Sequence, residues 1–310
     1  MKSSPAICVV GSINMDLVFR TPRMPAVGET ISGHDFVQIA GGKGANQAVA
    51  AARQGAKTSF VACVGSDTYG QQSIAGLKSD HVDVNFIMTM DPCATGVAGI
   101  FVDDQGRNSI VIAPGANARL SPAHIQAAKE AICQAQYLIC QCETPLSTIE
   151  AAIQMASTHG VKVVFNPAPA VPLPEGLLAK VNYLIVNETE AEQLSGIRVG
   201  DIAGATGAAR RLQKQGAQCV LITLGDKGVF IADQDQYHHV PGLTVNVVDT
   251  TAAGDTFVGA FATALGEGHD ALGAARQAQF SAALTVTRLG AQSSIPHRAE
   301  VETFKSALGG

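Results

Sequence analysis

The densest chemistry in the sequence lies in Asp249-Thr250-Thr251-Ala252-Ala253-Gly254-Asp255-Thr256-Phe257, which runs into a helical pattern through Gly259, Ala260 and Phe261. Small residues directly before a helix leave its first amides unpaired and open to an anion. The segment therefore reads as a phosphate cradle. An aspartate at that place, Asp255, can accept a proton from an alcohol attacking a phosphoryl group. The competing reading of Asp255 is a helix N-cap. No glycine-rich run ends in Gly-Lys-Ser/Thr, and Gly41, Gly42 and Gly44 lack the spacing of a dinucleotide fingerprint. A nucleotide must be held in another way.

The elements that position these groups follow from the apolar pattern. Residues 7–10 form a short buried-type strand ending at Gly11, and a polar corner with Ser12, Asn14 and Asp16 precedes the apolar stretch 17–19. Strand-like sequence containing Ile31, Phe36, Val37 and Ile39 leads to the glycine cluster, and a small-residue helix over 45–54 stops at Gly55. Strands over 96–102 and 109–112 are joined by the hairpin sequence Asp103-Asp104-Gln105-Gly106. The two strand-rich excursions, 14–40 and 96–113, are expected to form a small projecting sheet. After Ser121, strands near 137–140, 161–165, 183–186 and 219–223 alternate with helices near 145–158 and 203–215. Such alternation gives an α/β fold with a mostly parallel sheet, whose ligands sit beyond the strands' carboxyl ends. The residues found there are Asn14 and Asp16, Glu143, Asn166, Asn187 with Glu190, and Thr223 with Gly225. Each alone could be a cap or turn residue. As a ring they suit a polyhydroxylated ligand and a nucleotide.

Composition narrows the partners. The 310 residues are 46% hydrophobic and 15% charged, enough for a chain that hides roughly 75% of its unfolded surface. The net charge of -5 is not gathered into runs, so nucleic acid and membrane surfaces are not expected partners. The apolar run within residues 1–11 is too short for a signal-peptide core, and a cytosolic location is expected. Seven scattered cysteines point to reduced, structural thiols. Cys140 and Cys142, two apart, would share one face of a strand. The eight histidines show no metal-ligand spacing, and His238 and His239 would point to opposite faces of a strand.

The segment Gly41-Gly42-Lys43-Gly44-Ala45-Asn46-Gln47-Ala48, the run Asn187-Glu188-Thr189-Glu190 and the stretch from Asp249 to Gly259 resemble the signatures of the ribokinase (phosphofructokinase-B) family of carbohydrate kinases. Order and spacing match over essentially the whole chain. Asn166-Pro167-Ala168-Pro169 and Thr223-Leu224-Gly225 draw the resemblance toward ribokinases within the family. It implies a three-layer α/β sandwich, one domain over 1–310, with a small β-sheet lid that pairs with a second lid in a homodimer. The activity implied is ATP-dependent phosphorylation of D-ribose at its 5-hydroxyl. The resemblance assigns sugar binding to Asn14, Asp16, Gly42, Lys43, Asn46 and Glu143, the base to Asp255, and the anion hole to the amides of Ala253, Gly254 and Asp255. Asn187, Thr223, Gly225, Asp226 and Gly254 fall in its nucleotide region, and Glu190 in the motif that positions Mg2+ largely through water. It further implies an activating K+ caged by oxygens of Asp249, Thr251, Thr285, Arg288, Gly290 and Ser294. Thr251, Val258 and Thr285 stand at positions that vary among ribokinases, and Ala253 stands where many relatives carry glycine.

Three alternatives accompany this reading. A sister kinase for 2-deoxyribose, a nucleoside or another sugar would keep the fold and Asp255; a substrate panel separates it. A non-catalytic sugar sensor is opposed by the retained Asp255, Gly254 and Glu190. A nicotinamide-dependent oxidoreductase lacks its fingerprint.

Overall fold

The computed structural model describes residues 4–308. Strand β1 (Ala6–Val10) passes through a tight corner into β2 (Asn14–Thr21), and β3 (Asp35–Gly41) returns antiparallel to it before helix α1 (Lys43–Arg53). Then come β4 (Lys57–Gly65), α2 (Thr68–Ser79), β5 (Ile87–Met90) and the hairpin of β6 (Gly96–Asp103) and β7 (Asn108–Ala113). The alternating region holds α3 (Pro122–Ala127), α4 (Lys129–Gln134), β8 (Tyr137–Cys140), α5 (Leu146–Thr158), β9 (Lys162–Phe165), β10 (Tyr183–Asn187), α6 (Glu188–Ser195), α7 (Ile202–Lys214) and β11 (Cys219–Thr223). A hairpin of β12 (Val229–Asp233) and β13 (Gln236–Val240) precedes the closing helices α8 (Ala253–Gly266), α9 (Ala271–Thr285) and α10 (Arg298–Ala307).

The main sheet has nine strands in the order β13-β12-β11-β10-β9-β8-β1-β4-β5. It is parallel from β11 to β5, and β12 and β13 add an antiparallel edge. Its central strands are apolar along their length because both faces are covered. Cys8 and Val10 point to the side of α5 and α7, where Ile149, Ala152 and Leu212 lie. Ile7 and Val9 point to the other side, against Ala48, Phe257 and Phe261 of α1 and α8. This is the three-layer sandwich expected. The order reverses between β1 and β8, since one run of strands proceeds from β1 through β4 and the other from β8 through β11. Such a reversal opens a crevice at the carboxyl ends, where Gly11 and Ser12 follow β1 and Gln141 and Glu143 follow β8.

The second sheet has the order β3-β2-β6-β7, with β2 and β6 parallel. Its strands fill the excursions expected at 14–40 and 96–113, with two corrections. Asn14 and Asp16 stand on β2 itself, and Ile31 precedes β3. Alternation along β2 places Asn14, Asp16 and Val18 on one face and Met15, Leu17 and Phe19 on the other. On that second face Phe19 stacks between Phe36 and Phe101, with centroids 4.8 and 5.3 Å away. On the first, Val18 lies in register with Val37 and Ile100, and Ile100 with Ile110. Val37 and Ile110 are exposed.

Cys142 lies beyond the end of β8, because the chain turns toward α5 and the Cys142 amide bonds the Ala168 carbonyl at 3.0 Å. Cys140 and Cys142 thus share no strand face. All seven cysteines are free. Burial pushes the Cys8 and Cys142 thiols up to about 12 and the Cys63 thiol to about 11, which keeps them unreactive.

Helices α1 and α8 carry the site, and their approach is set by absent side chains. The buried faces of α1 are Gly44, Ala45, Ala48 and Ala51. A Cβ on Gly259 of α8 would stand 2.6 Å from the Gln47 carbonyl oxygen and from the Ala50 Cβ. Replacing Gly259 by Ala forces the helices apart and is expected to cost about 1–3 kcal/mol, read as a lower urea midpoint. An unchanged midpoint would show that the contact has slack.

Candidate active site

Helix α8 begins without a side-chain cap. Its N-cap is Ala252, held at φ 61°, a conformation that costs an alanine roughly 1–2 kcal/mol. Asp255 is therefore not the N-cap. It is 7% exposed and turns away from its own helix toward α1. Its Oδ2 accepts from Asn46 Nδ2 and its Oδ1 from Gln47 Nε2, both at 2.9 Å. The Ala253 amide reaches back to the Thr250 carbonyl at 3.3 Å and the Thr256 amide to Ala252 at 2.8 Å. Among the described residues nothing accepts from the Gly254 or Asp255 amides. Two open donors at a helix start thus lie beside a fixed carboxylate. Asn46 Oδ1, also buried, has no hydrogen-bond partner. An unpaired buried acceptor at this point calls for a ligand hydroxyl.

The groups expected for a sugar converge from β2, α1 and the segment after β8. Asn117 Nδ2 donates to Asn14 Oδ1 at 2.8 Å, while the Asn117 amide also pairs with the backbone of Ile13. With its oxygen engaged, Asn14 keeps its NH2 hydrogens as donors for a ligand. Glu143 Oε2 accepts from Ser12 Oγ at 2.6 Å and from the Lys43 amide at 3.0 Å. Gly42 adopts φ 90°, and a Cβ there would stand 2.7 Å from the Asn14 nitrogen. A Cβ on Gly41 would overlap the Asp16 carboxylate. Burial, then the neighbouring Glu143 and Asp255, raise the Asp16 carboxyl from 3.8 to about 7, against the pull of Lys43. Lys43 is held above its ordinary value first by Asp255, against burial, and then by Glu143, Glu190 and Asp16. One ammonium thus feels four carboxylates.

Thr223, Gly225, Asp226, Ala253 and Gly254 line one cavity of about 640 Å³, whose apolar wall includes Phe257 and Val286. A larger cleft of about 910 Å³ near residues 170–178 contains none of the expected site residues; the smaller one reaches the open Gly254 amide. Asn187 is outside that lining and caps α6: its Oδ1 accepts from the Glu190 amide at 2.8 Å, and Glu190 Oε2 accepts from the Asn187 amide at 3.0 Å. Burial foremost raises the Glu190 carboxyl. The residues expected around K+ are partly gathered. Asp249 Oδ1 accepts from Thr251, and its Oδ2 from the Gly290 amide at 2.9 Å. Burial raises the Asp249 carboxyl, but these donors outweigh it and hold it below its ordinary value. Other side chains turn elsewhere: Thr285 Oγ1 donates to the Ser281 carbonyl, Arg288 to Glu300 and Ser294 Oγ to the Ala291 carbonyl. Arg288 has only its backbone oxygen for a cation, whereas Thr285 and Ser294 keep hydroxyl lone pairs as well.

Four residues of the site were not assigned from sequence: Ser12, Gln47, Asn117 and Gln141. Gln47 carried one usable signal, an amide among alanines on a buried helix face. Asn117 carried none.

A sheet with a reversal crevice, a covering small sheet and a carboxylate beside open helix amides define a phosphotransferase acting on a small hydroxylated substrate. The model of the pfkB family of carbohydrate kinases matches residues 4–298. A ribokinase of Haemophilus influenzae is 45% identical over 96% of this chain and 97% of its own length. A deoxyribokinase of Salmonella typhi is 39% identical over 97% and 98%. A solved structure of Arabidopsis thaliana ribokinase complexed with ribose and ATP has a TM-score of 0.92 at 33% identity, covering 97% of this chain and 99% of that one. The chain belongs to the pfkB family of carbohydrate kinases and is an ATP-dependent sugar kinase.

If the sugar binds at Asp16, the raised carboxyl there would make binding pH-dependent. From about pH 4 to 7 the folded chain keeps a proton that the unfolded one has released, so this group's contribution to stability falls over that interval. Sugar hydroxyls favour the ionised form, so binding near pH 7 should expel about half a proton. Titration calorimetry in buffers of unlike ionisation heat measures it, and Asp16→Asn should abolish it. Equal heats in all buffers for the unmodified protein would contradict this role for Asp16.

Proposed function

We propose that this kinase transfers the γ-phosphoryl group of ATP to the 5-hydroxyl of D-ribose, giving D-ribose 5-phosphate and ADP. The observation that carries it is the pairing of Asp255, fixed by two amides, with the open Gly254 and Asp255 amides of α8. Asp255 accepts the hydroxyl proton as the sugar oxygen bonds to the γ-phosphorus and the bond to the bridging oxygen of ADP breaks. The amides at the helix start receive the charge on the phosphoryl oxygens. Asn14, Asp16, Lys43, Asn46 and Glu143 hold the sugar hydroxyls, and Gly42 lets the backbone before Lys43 pack against residues 12–14. The cavity at Thr223, Gly225 and Asp226 takes the nucleotide, with Asn187 at its edge.

Four carboxylates around Lys43 would repel a bare triphosphate, which fits Mg2+ arriving with ATP and bound near Glu190 through water. The ion would neutralise phosphate charge. Among the described residues no three His, Cys, Asp or Glu side chains form a metal cage, as suits that mode. K+ would sit where Asp249 ties Thr251 to Gly290, among carbonyl oxygens of 285–294. The small sheet is the lid, and the exposed Phe19 and Phe36 on its face away from Asn14 and Asp16 support pairing with a second copy in the cytosol.

The deoxyribokinase relative makes 2-deoxyribose the second substrate to test. Coupled ADP release with Mg-ATP should be faster with ribose than with 2-deoxyribose, fructose, adenosine or uridine, and faster in potassium than in sodium. Preference for another acceptor would overturn the substrate while leaving the base in place. Asp255→Asn should lower kcat by at least about 10²-fold and spare ribose binding; near-normal turnover would remove Asp255 as the base. Sedimentation at micromolar concentration should give a dimer, and Phe36→Glu a monomer. A monomeric parent protein would refute lid pairing.

A further inference from the structure

Asp255 is held by a neutral scaffold deeper than the ligand-facing residues, and its centre is Gln47. The Gln47 side chain is fully buried. Both hydrogens of Nε2 are engaged, one by Asp255 Oδ1 at 2.9 Å and one by Asn166 Oδ1 at 3.0 Å. Its Oε1 accepts from Gln141 Nε2 at 2.7 Å. Asn166 is oriented in turn by donating to the Ile185 carbonyl at 2.9 Å. A flipped Gln47 amide would set its oxygen against the oxygens of Asp255 and Asn166 and its NH2 against the NH2 of Gln141. Each of these three contacts would become repulsive, so the donor is locked toward the carboxylate. Gln141 is seated by packing instead: its Oε1 has no hydrogen-bond partner, and it lies so close to Gly11 that a Cβ there would collide with it.

We infer that Gln47 is a positioning residue for the phosphoryl-transfer step, with Gln141 acting through it. It aims the Asp255 carboxylate at the acceptor hydroxyl. The inference rests on Asp255 being the base. Asn46 differs from Gln47 in kind, because its buried Oδ1 has no partner within the protein, whereas every polar atom of the Gln47 side chain is used inside the protein. Loss of Asn46 should therefore weaken sugar binding. Loss of Gln47 should leave binding intact and reduce turnover, since an unanchored carboxylate still fills the site but spends less time in line with the reacting oxygen.

The test compares Gln47→Met, Gln141→Met, the double variant and Asp255→Asn with the parent enzyme. Gln47→Met keeps the volume and deletes the donors. Ribose and ATP dissociation constants are measured by calorimetry, and kcat by coupled assay. The expected result is a fall in kcat of about 10-fold to 10²-fold for Gln47→Met, with ribose and ATP affinities within about threefold of the parent. Gln141→Met should show a smaller fall in the same direction. The double variant should be no slower than Gln47→Met alone, because residues acting through one another are not additive. A folded Gln47→Met with kcat within twofold of the parent overturns the inference, as does equal loss of kcat and ribose affinity. Should Gln47→Met fail to fold, Gln141→Met decides: an unchanged kcat overturns the inference. An active Asp255→Asn would instead remove the base reading itself.

Discussion

A carboxylate taken out of water needs hydrogen-bond donors to remain an anion, and the structure is organised around supplying them to Asp255 without placing a cation in contact. Amides from consecutive residues of α1, Asn46 and Gln47, each donate to one oxygen. Consecutive helical residues diverge by about 100°, so both reach one carboxylate only if α1 runs close alongside the start of α8. That closeness explains the glycine at 259, the alanines of α1 and the corner after β1 that packs Ser12 against Gly44.

Charge around this centre is deliberately uneven. Asp16, Glu143 and Glu190 crowd Lys43, while the amides of Gly254 and Asp255 and the NH2 of Asn14 remain as neutral donors. Acceptors suit the hydroxyl hydrogens of a sugar, and donors suit phosphoryl oxygens. The division largely follows the fold: carboxylates come from the small sheet and the ends of β8 and β10, and donors from the start of α8, with Asn14 of β2 the exception.

Much of this was legible in the sequence, because it is written in residue types with few other uses. Asp249 to Asp255 announced a helix start without a cap, and the buried runs of β1, β8, β9, β10 and β11 announced a parallel sheet. What stayed hidden had ambiguous signals. The first residues of β2 read as a corner because Asn14 and Asp16, the site-facing half of the alternation, are turn-forming types. A buried glutamine such as Gln47 or Gln141 looks like a surface residue until its partners are known. Asn117 imitates a strand, pairing with both backbone groups of Ile13, a role no local pattern encodes. The cation site proposed around residues 249–294 would draw on main-chain oxygens, which every residue has.

The contact between Asn46 and Asp255 joins positions 209 apart in the chain. Loop closure over such a distance is the slow, late event in forming a structure. During synthesis, the elements that contribute the carboxylates around Lys43 emerge before α8. A chain made only as far as β13 therefore holds Asp16, Glu143 and Glu190 without the Asp255 carboxylate or the open amides of α8.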